Sequence, residues 1–176
     1  MKAIMMSIRP EWVAKILNGE KTIEIRKKFP KDYVGWVYIY CTKDKQLTLR
    51  NERYILIEGE KYHIDSPVLN GKVVARFWCD KVEEIETKYL GELETLTMNM
   101  PQLLNASCLS LKQLDNYLQD YDGRAIHITN LEIFGKPKEI KEFVRDTGRR
   151  MLVGNDLIPY CEPLIRAPQS WCHIEV

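Results

Sequence analysis

The residues best suited to chemistry lie in one short block, Gly19-Glu20-Lys21-Thr22-Ile23-Glu24-Ile25-Arg26-Lys27-Lys28. A turn glycine opens the block, polar and apolar residues then alternate, and the end is basic. On a β-strand, Thr22, Glu24 and Arg26 share one face, while Ile23 and Ile25 share the other. The isoleucines suit a core. Glu24 and Arg26 then stand roughly 6–7 Å apart along the strand, with Lys21 in the turn just before them. One reading is a solvated ion pair, worth about 0–1 kcal/mol. The other is a recognition platform. Arg26 forks onto a phosphate or carboxylate, Lys21 adds a point charge, and Glu24 accepts from a base amino group. Acid–base catalysis suits the set less. A lysine working as a base has to be partly neutral near pH 7, and a carboxylate within ~4–6 Å favours the ammonium instead. Glu24 becomes a base only in a desolvated cleft.

Several elements have to position this block. Lys2–Ile8 reads as a buried strand, and Pro10 opens a helix in which Trp12, Val13, Ile16 and Leu17 recur at helical spacing. Asn18-Gly19 stops that helix. Ser7 or Arg9 stands at the strand-to-helix junction. Gly35–Thr42, aromatic and β-branched throughout, predicts a central strand covered on both faces and carrying Tyr40. Gly71–Val82 returns to strand, with Val74, Arg76 and Trp78 on one face; Arg76 points either into the same cleft as Glu24 or to solvent.

Glu83–Tyr121 reads as mostly helical, with Ser110 and Gln113 forming a capping box ahead of the apolar stripe Leu111, Leu114, Tyr117 and Leu118. Arg124–Phe134 alternates as a strand ended by Gly135-Lys136-Pro137, and Lys138–Arg145 follows as a short helix. Pro168–Val176 reads as a terminal strand closing a barrel. Residues 43–70 form an excursion with weak strand content, and residues 147–166, with Gly148, Gly154, Pro159 and Pro163, read as loop. The 176 residues are most simply one domain.

Composition narrows the function. A hydrophobic share of 45% and a charged share of 29% describe an ordinary globular chain. A formal net charge of +1 argues against a protein that lives on non-specific phosphate attraction, so nucleic acid would be met by a local patch. The cysteines (Cys41, Cys79, Cys108, Cys161 and Cys172) are odd in number and lack C-x-x-C spacing. With no secretory leader or membrane-length apolar run, they read as reduced thiols in a cytoplasmic protein.

No dinucleotide-binding, P-loop, metalloprotease or serine-hydrolase signature is present, and no cofactor is expected. Neither is a metal: Cys172 and His173, as strand neighbours, point to opposite faces, and structural zinc wants four ligands. His127, in a strand, is a structural histidine or faces the cleft. Trp171 is core or cleft wall, and an aromatic beside basic residues can stack a base.

Met6-Ser7-Ile8-Arg9-Pro10-Glu11-Trp12, followed by Ile16-Leu17-Asn18-Gly19-Glu20-Lys21-Thr22-Ile23-Glu24-Ile25-Arg26, resembles the opening of an ASCH domain, a relative of the RNA-binding PUA domains. Ala167-Pro168-Gln169-Ser170-Trp171-Cys172, His127-Ile128-Thr129-Asn130-Leu131 and Lys136-Pro137-Lys138 resemble bacterial and prophage members in particular. The resemblance implies an α+β fold, a PUA-like mixed β-barrel with flanking helices, and a cleft between barrel and first helix that binds RNA. One branch of the family hydrolyses N4-acetylcytidine there with a lysine, a threonine and a later glutamate. Lys21 and Arg26 match that branch; Glu24 replaces the threonine, and Ala75 or Arg76 stands near the expected glutamate. Two of the three catalytic roles are unmatched.

The expected protein is therefore an RNA- or nucleotide-binding one. Its ligand site comprises Lys21, Glu24 and Arg26, with Ser7, Tyr40, Arg76 and Trp171 as further candidates. An amidohydrolase using Lys21 and Glu24, and a protein-interaction module with an inert cleft, are the alternatives.

Overall fold

The computed structural model describes residues 2–45, 53–57, 60–64, 68–87, 93–95, 98–119 and 121–176. The fold is α+β, and the chain divides into two compact units. The first comprises Met1–Val13, Val37–Arg76 and Glu132–Val176; the second comprises Ala14–Trp36 and Phe77–Leu131. The chain opens with β1 (Lys2–Ile8), α1 (Pro10–Leu17), β2 (Ile23–Arg26) and β3 (Gly35–Cys41). Next come β4 (Arg53–Ile57), β5 (Glu60–Ile64), β6 (Val73–Cys79), β7 (Val82–Thr87) and β8 (Leu93–Thr95). Two helices follow, α2 (Met100–Ser107) and α3 (Leu111–Leu118), and then β9 (Gly123–His127) and β10 (Thr129–Lys138). The last strands are β11 (Val144–Val153), β12 (Asp156–Pro163) and β13 (Trp171–Glu175).

A seven-stranded sheet runs in the order β10-β6-β3-β1-β13-β11-β12. It is mixed: β1 pairs parallel with β3 and antiparallel with β13. Both alternating sets of side chains on β3 are buried, Val37 and Ile39 on one face and Tyr38 and Tyr40 on the other, as its continuous apolar character predicts. Within the first unit the rings of Phe134 and Phe143 close over Tyr38, at centroid distances of 6.1 and 5.3 Å. The excursion of residues 43–70 contains the separate two-stranded pair β4-β5; residues 46–52, 58–59 and 65–67 lie outside the described residues.

The second unit holds a four-stranded sheet, β2-β9-β7-β8. Ile23 pairs with His127 and Ile25 with Ala125; across β9, Ala125 pairs with Glu83 and Gly123 with Ile85. One face thus collects Ile23, Ile25, Ala125 and Ile85, onto which Leu103 of α2 and Leu114 and Leu118 of α3 pack. Each of these helices starts on a capping box, Asn99 with Gln102 and Ser110 with Gln113. Of the stripe expected on α3, Leu114 and Leu118 are buried, whereas Leu111 and Tyr117 are exposed.

Four stretches differ from the sequence reading. The first part of 83–121 is strand, not helix: β7 pairs with β9 and β8, and that pairing overrides the helical preference of its glutamates. The strand expected over Arg124–Phe134 is two strands, and the second runs on to Lys138. Pro137 fits there because β10 ends the sheet, where a missing N–H costs no ladder bond. The helix expected at Lys138–Arg145 is a single 3-10 turn, Ile140–Glu142, after which β11 begins.

Residues 147–166, expected as loop, form most of the β11–β12 hairpin, with Val153 paired to Asp156. Gly154, at φ 62°, fills the first central position of a two-residue turn, a position that favours glycine. Pro159 and Pro163 lie on β12, the opposite edge of the sheet, and so do not break it.

Candidate functional site

Lys21, Glu24 and Arg26 come together within the second unit. Gly19, at φ 76°, ends α1, and the backbone N–H groups of Glu20 and Lys21 both donate to the Lys15 carbonyl. The Thr22 N–H then donates to the Ala106 carbonyl at 2.9 Å, tying the block to α2 before β2 begins. The Lys21 side chain is 2% exposed. Its ammonium donates to the Ser107 carbonyl at 2.7 Å, at the C-terminal end of α2, where the helix dipole favours a cation. It also lies 3.3 Å from Glu24 Oε2, while Arg26 Nη2 lies 3.1 Å from Glu24 Oε1. The side chains of Glu24 and Arg26 are 7% and 14% exposed. This is a buried ion triad, not the solvated pair that charge spacing alone allows.

Glu24 thus spends one oxygen on each of two cations, and Lys21 spends its ammonium on a carbonyl and a carboxylate. Such an arrangement holds charges still. It suits Lys21 and Glu24 as positioning groups for Arg26, the most exposed of the three.

The same sheet face carries a second guanidinium. Arg26 pairs in register with Arg124 of β9, which pairs in turn with Glu84 of β7. Like charges directly opposite each other across strands repel. Here each has its own carboxylate, Glu24 for Arg26 and Glu84 for Arg124, both at 3.1 Å. Glu84 is also ion-paired with Lys31, and Lys31 first, with Arg124 after it, holds the Glu84 carboxyl below its ordinary range. Two partly exposed arginines, each aligned by an acid, can present several N–H donors to one anion. Neither Arg124 nor Glu84 stands out in the sequence; the signal is the register of β2, β9 and β7, which only strand pairing supplies.

On the other face Glu83, also buried, accepts from or pairs with His127 Nε2 and Lys81 Nζ, each at 2.8 Å from Oε1. His127 has no spaced partner in the sequence. Its partner comes from β7, the stretch whose alternation resembles a helix less than its glutamates suggest.

The remaining candidates belong to the first unit. Ser7 is buried, and its hydroxyl donates to the Pro168 carbonyl at 2.7 Å while its N–H donates to the Ser170 carbonyl, so it ties β1 to the segment leading into β13. Tyr40 is buried, and burial first of all pushes its phenol up. Arg76 donates to Glu132 at 2.7 Å and to the Tyr38 hydroxyl at 3.2 Å. The Trp171 ring meets His173 edge-on at 5.5 Å. Lys21, Glu24 and Arg26 therefore share one site in the second unit, while these four are engaged within the first. Among the described residues no cluster of three His, Cys, Asp or Glu could hold a metal ion. No helix among them is long and apolar enough to cross a membrane.

The element order and sheets define an α+β protein with a mixed sheet and flanking helices. The chain is similar in fold to an ASCH protein from Zymomonas mobilis, at 15% identity and a TM-score of 0.56, over 96% of this chain and 85% of that one. Two single-residue variants of that protein give TM-scores of 0.53 at 14% identity, again over 96% of this chain and over 87% and 85% of theirs. At this identity the likeness is one of fold. No protein-family model and no curated protein matches the chain at a significant level.

Proposed function

We propose that the chain is an ASCH protein of the bacterial, prophage type within the PUA-like superfamily, one functional domain over residues 1–176 whose sheet closes as a barrel. In this reading it is a cytoplasmic protein with reduced thiols, and it binds RNA or a nucleotide. Arg26 and Arg124 hold a phosphate or other anionic group, while Lys21 and Glu24 fix the Arg26 guanidinium in place. The observation that carries the reading is the division of Glu24 between Lys21 and Arg26, which leaves Arg26 the most exposed member of a buried triad. The fold likeness over nearly the whole chain supports it.

The hydrolytic alternative has less support. It needs Lys21 or Glu24 as a base, and both groups are occupied by the ion pairs that hold them. Titration of labelled RNA and of nucleotides tests the binding reading. Arg26→Ala and Arg124→Ala are each expected to weaken binding about 10- to 100-fold, the worth of a charge-assisted contact. Affinity unchanged in both variants would overturn it. Release of acetate from N4-acetylcytidine that disappears in Lys21→Ala would instead favour the enzyme.

A further inference from the structure

Beyond the triad, the basic run continues into an aromatic surface. Lys27 and Lys28 follow Arg26 directly, and the Lys27 ammonium lies over two tyrosine rings, 4.8 Å from the centroid of Tyr121 and 5.9 Å from that of Tyr117. Lys27, Lys28, Tyr121 and Asp122 line an open groove of about 390 Å³. Tyr121 is 65% exposed and Tyr117 39% exposed. Two large rings left in solvent beside two lysines add little to the core, whose share of α3 falls to Leu114 and Leu118.

We propose that this groove binds an unpaired nucleic-acid strand, with a base stacked on Tyr121 and with Lys27 and Lys28 neutralising the flanking phosphates, while Tyr117 flanks the groove on the other side of the Lys27 contact. The balance of interactions favours that occupant. An exposed cation–π contact amounts to only a few-fold in an equilibrium, whereas stacking a base on an aromatic side chain amounts to about 5- to 100-fold. A base can therefore take the ring from the Lys27 ammonium, which then meets the phosphate. The Asp122 carboxylate at the groove wall accepts from a base amino group. The faces of paired bases are hidden in a duplex, so this surface selects single strands.

Neither Arg26 nor Arg124 lines the groove, and the experiment keeps the two sites apart. Fluorescence anisotropy of the full chain is measured with a labelled twelve-nucleotide oligouridylate, and with the same strand in duplex form, at two salt concentrations. Tyr121→Ala is expected to lower single-strand affinity about 5- to 100-fold at either salt, and Tyr121→Phe to retain it. Lys27→Gln with Lys28→Gln is expected to weaken binding and to flatten the salt slope by about 1.4. Wild-type affinity in the Tyr117→Ala/Tyr121→Ala protein, or duplex bound as well as single strand, overturns the proposal. Loss on Arg26→Ala with no loss on the tyrosine variants leaves the triad reading standing and this one refuted; the converse refutes the triad reading alone. Thermal melts of the variants, substituted at exposed or partly exposed side chains, check that they are folded.

Discussion

Replacing Lys21 by methionine is expected to cost about 3 kcal/mol of folding free energy, although an apolar stem of similar length as far as Cε is kept. The ammonium is buried and lies 2.7 Å from the Ser107 carbonyl and 3.3 Å from Glu24. Losing a hydrogen bond from a charged group costs about 1.5–3 kcal/mol. Removing one member of a buried pair costs about 3–5 kcal/mol when the other charge is left alone. Glu24 keeps Arg26, so the penalty falls at the lower end of that range. The methionine also preserves the packing of the stem.

For a chain of this size, about 3 kcal/mol corresponds to a fall in Tm of about 6–12 °C. In urea it corresponds to a midpoint lower by about 1.5 M for an m-value near 2 kcal/mol/M. Glu24→Gln and the double variant complete a cycle, with an expected coupling of about 1–3 kcal/mol. A Lys21→Met protein within about 0.5 kcal/mol of wild type, or a coupling near zero, would refute the argument that the triad is a buried, mutually dependent unit.

In Gly123→Ala the new methyl would stand 2.9 Å from Leu118 Cδ2 and 3.4 Å from Ile85 Cδ1, both in the buried cluster. Overpacking should cost about 1–3 kcal/mol, read as a lower Tm. The exposed Cys161 is expected to react with a thiol reagent in the native protein, while Cys41 and Cys79, pushed by burial up to about 12 and about 11, react only on unfolding; counting thiols with and without denaturant checks this. Glu84 is held below the ordinary value of 4.5, so its pairing with Lys31 and Arg124 stabilises the fold above that pH, and the contribution disappears as pH falls through its lowered value. The Tm difference between wild type and Glu84→Gln should therefore be present at pH 7 and shrink as the pH is taken below 4.5.

Elements whose signals are short-range were legible in the order of the residues. Gly19 ends α1, the alternation of Ile23 and Ile25 turns one face of β2 to the core, Gly35–Cys41 is apolar enough to sit inside a sheet, and Ser110 with Gln113 starts α3. That order also marked Lys21, Glu24 and Arg26, because strand geometry places neighbouring charges together whatever surrounds them. It left open whether those charges are solvated, since burial depends on α2 delivering the Ser107 carbonyl from 86 positions away.

Strand pairing lay beyond the reach of such local signals. β7 lies flat against β9 despite its glutamates, because Glu83 finds His127 and Lys81, and Glu84 finds Arg124 and Lys31. The glycines and prolines of 147–166 mark a hairpin turn and a sheet edge, because a proline tolerated at an edge and one that breaks a strand are the same residue until the neighbours are known. Arg124 stands beside Arg26 for the same reason: register is a relation between distant segments, and no local pattern carries it.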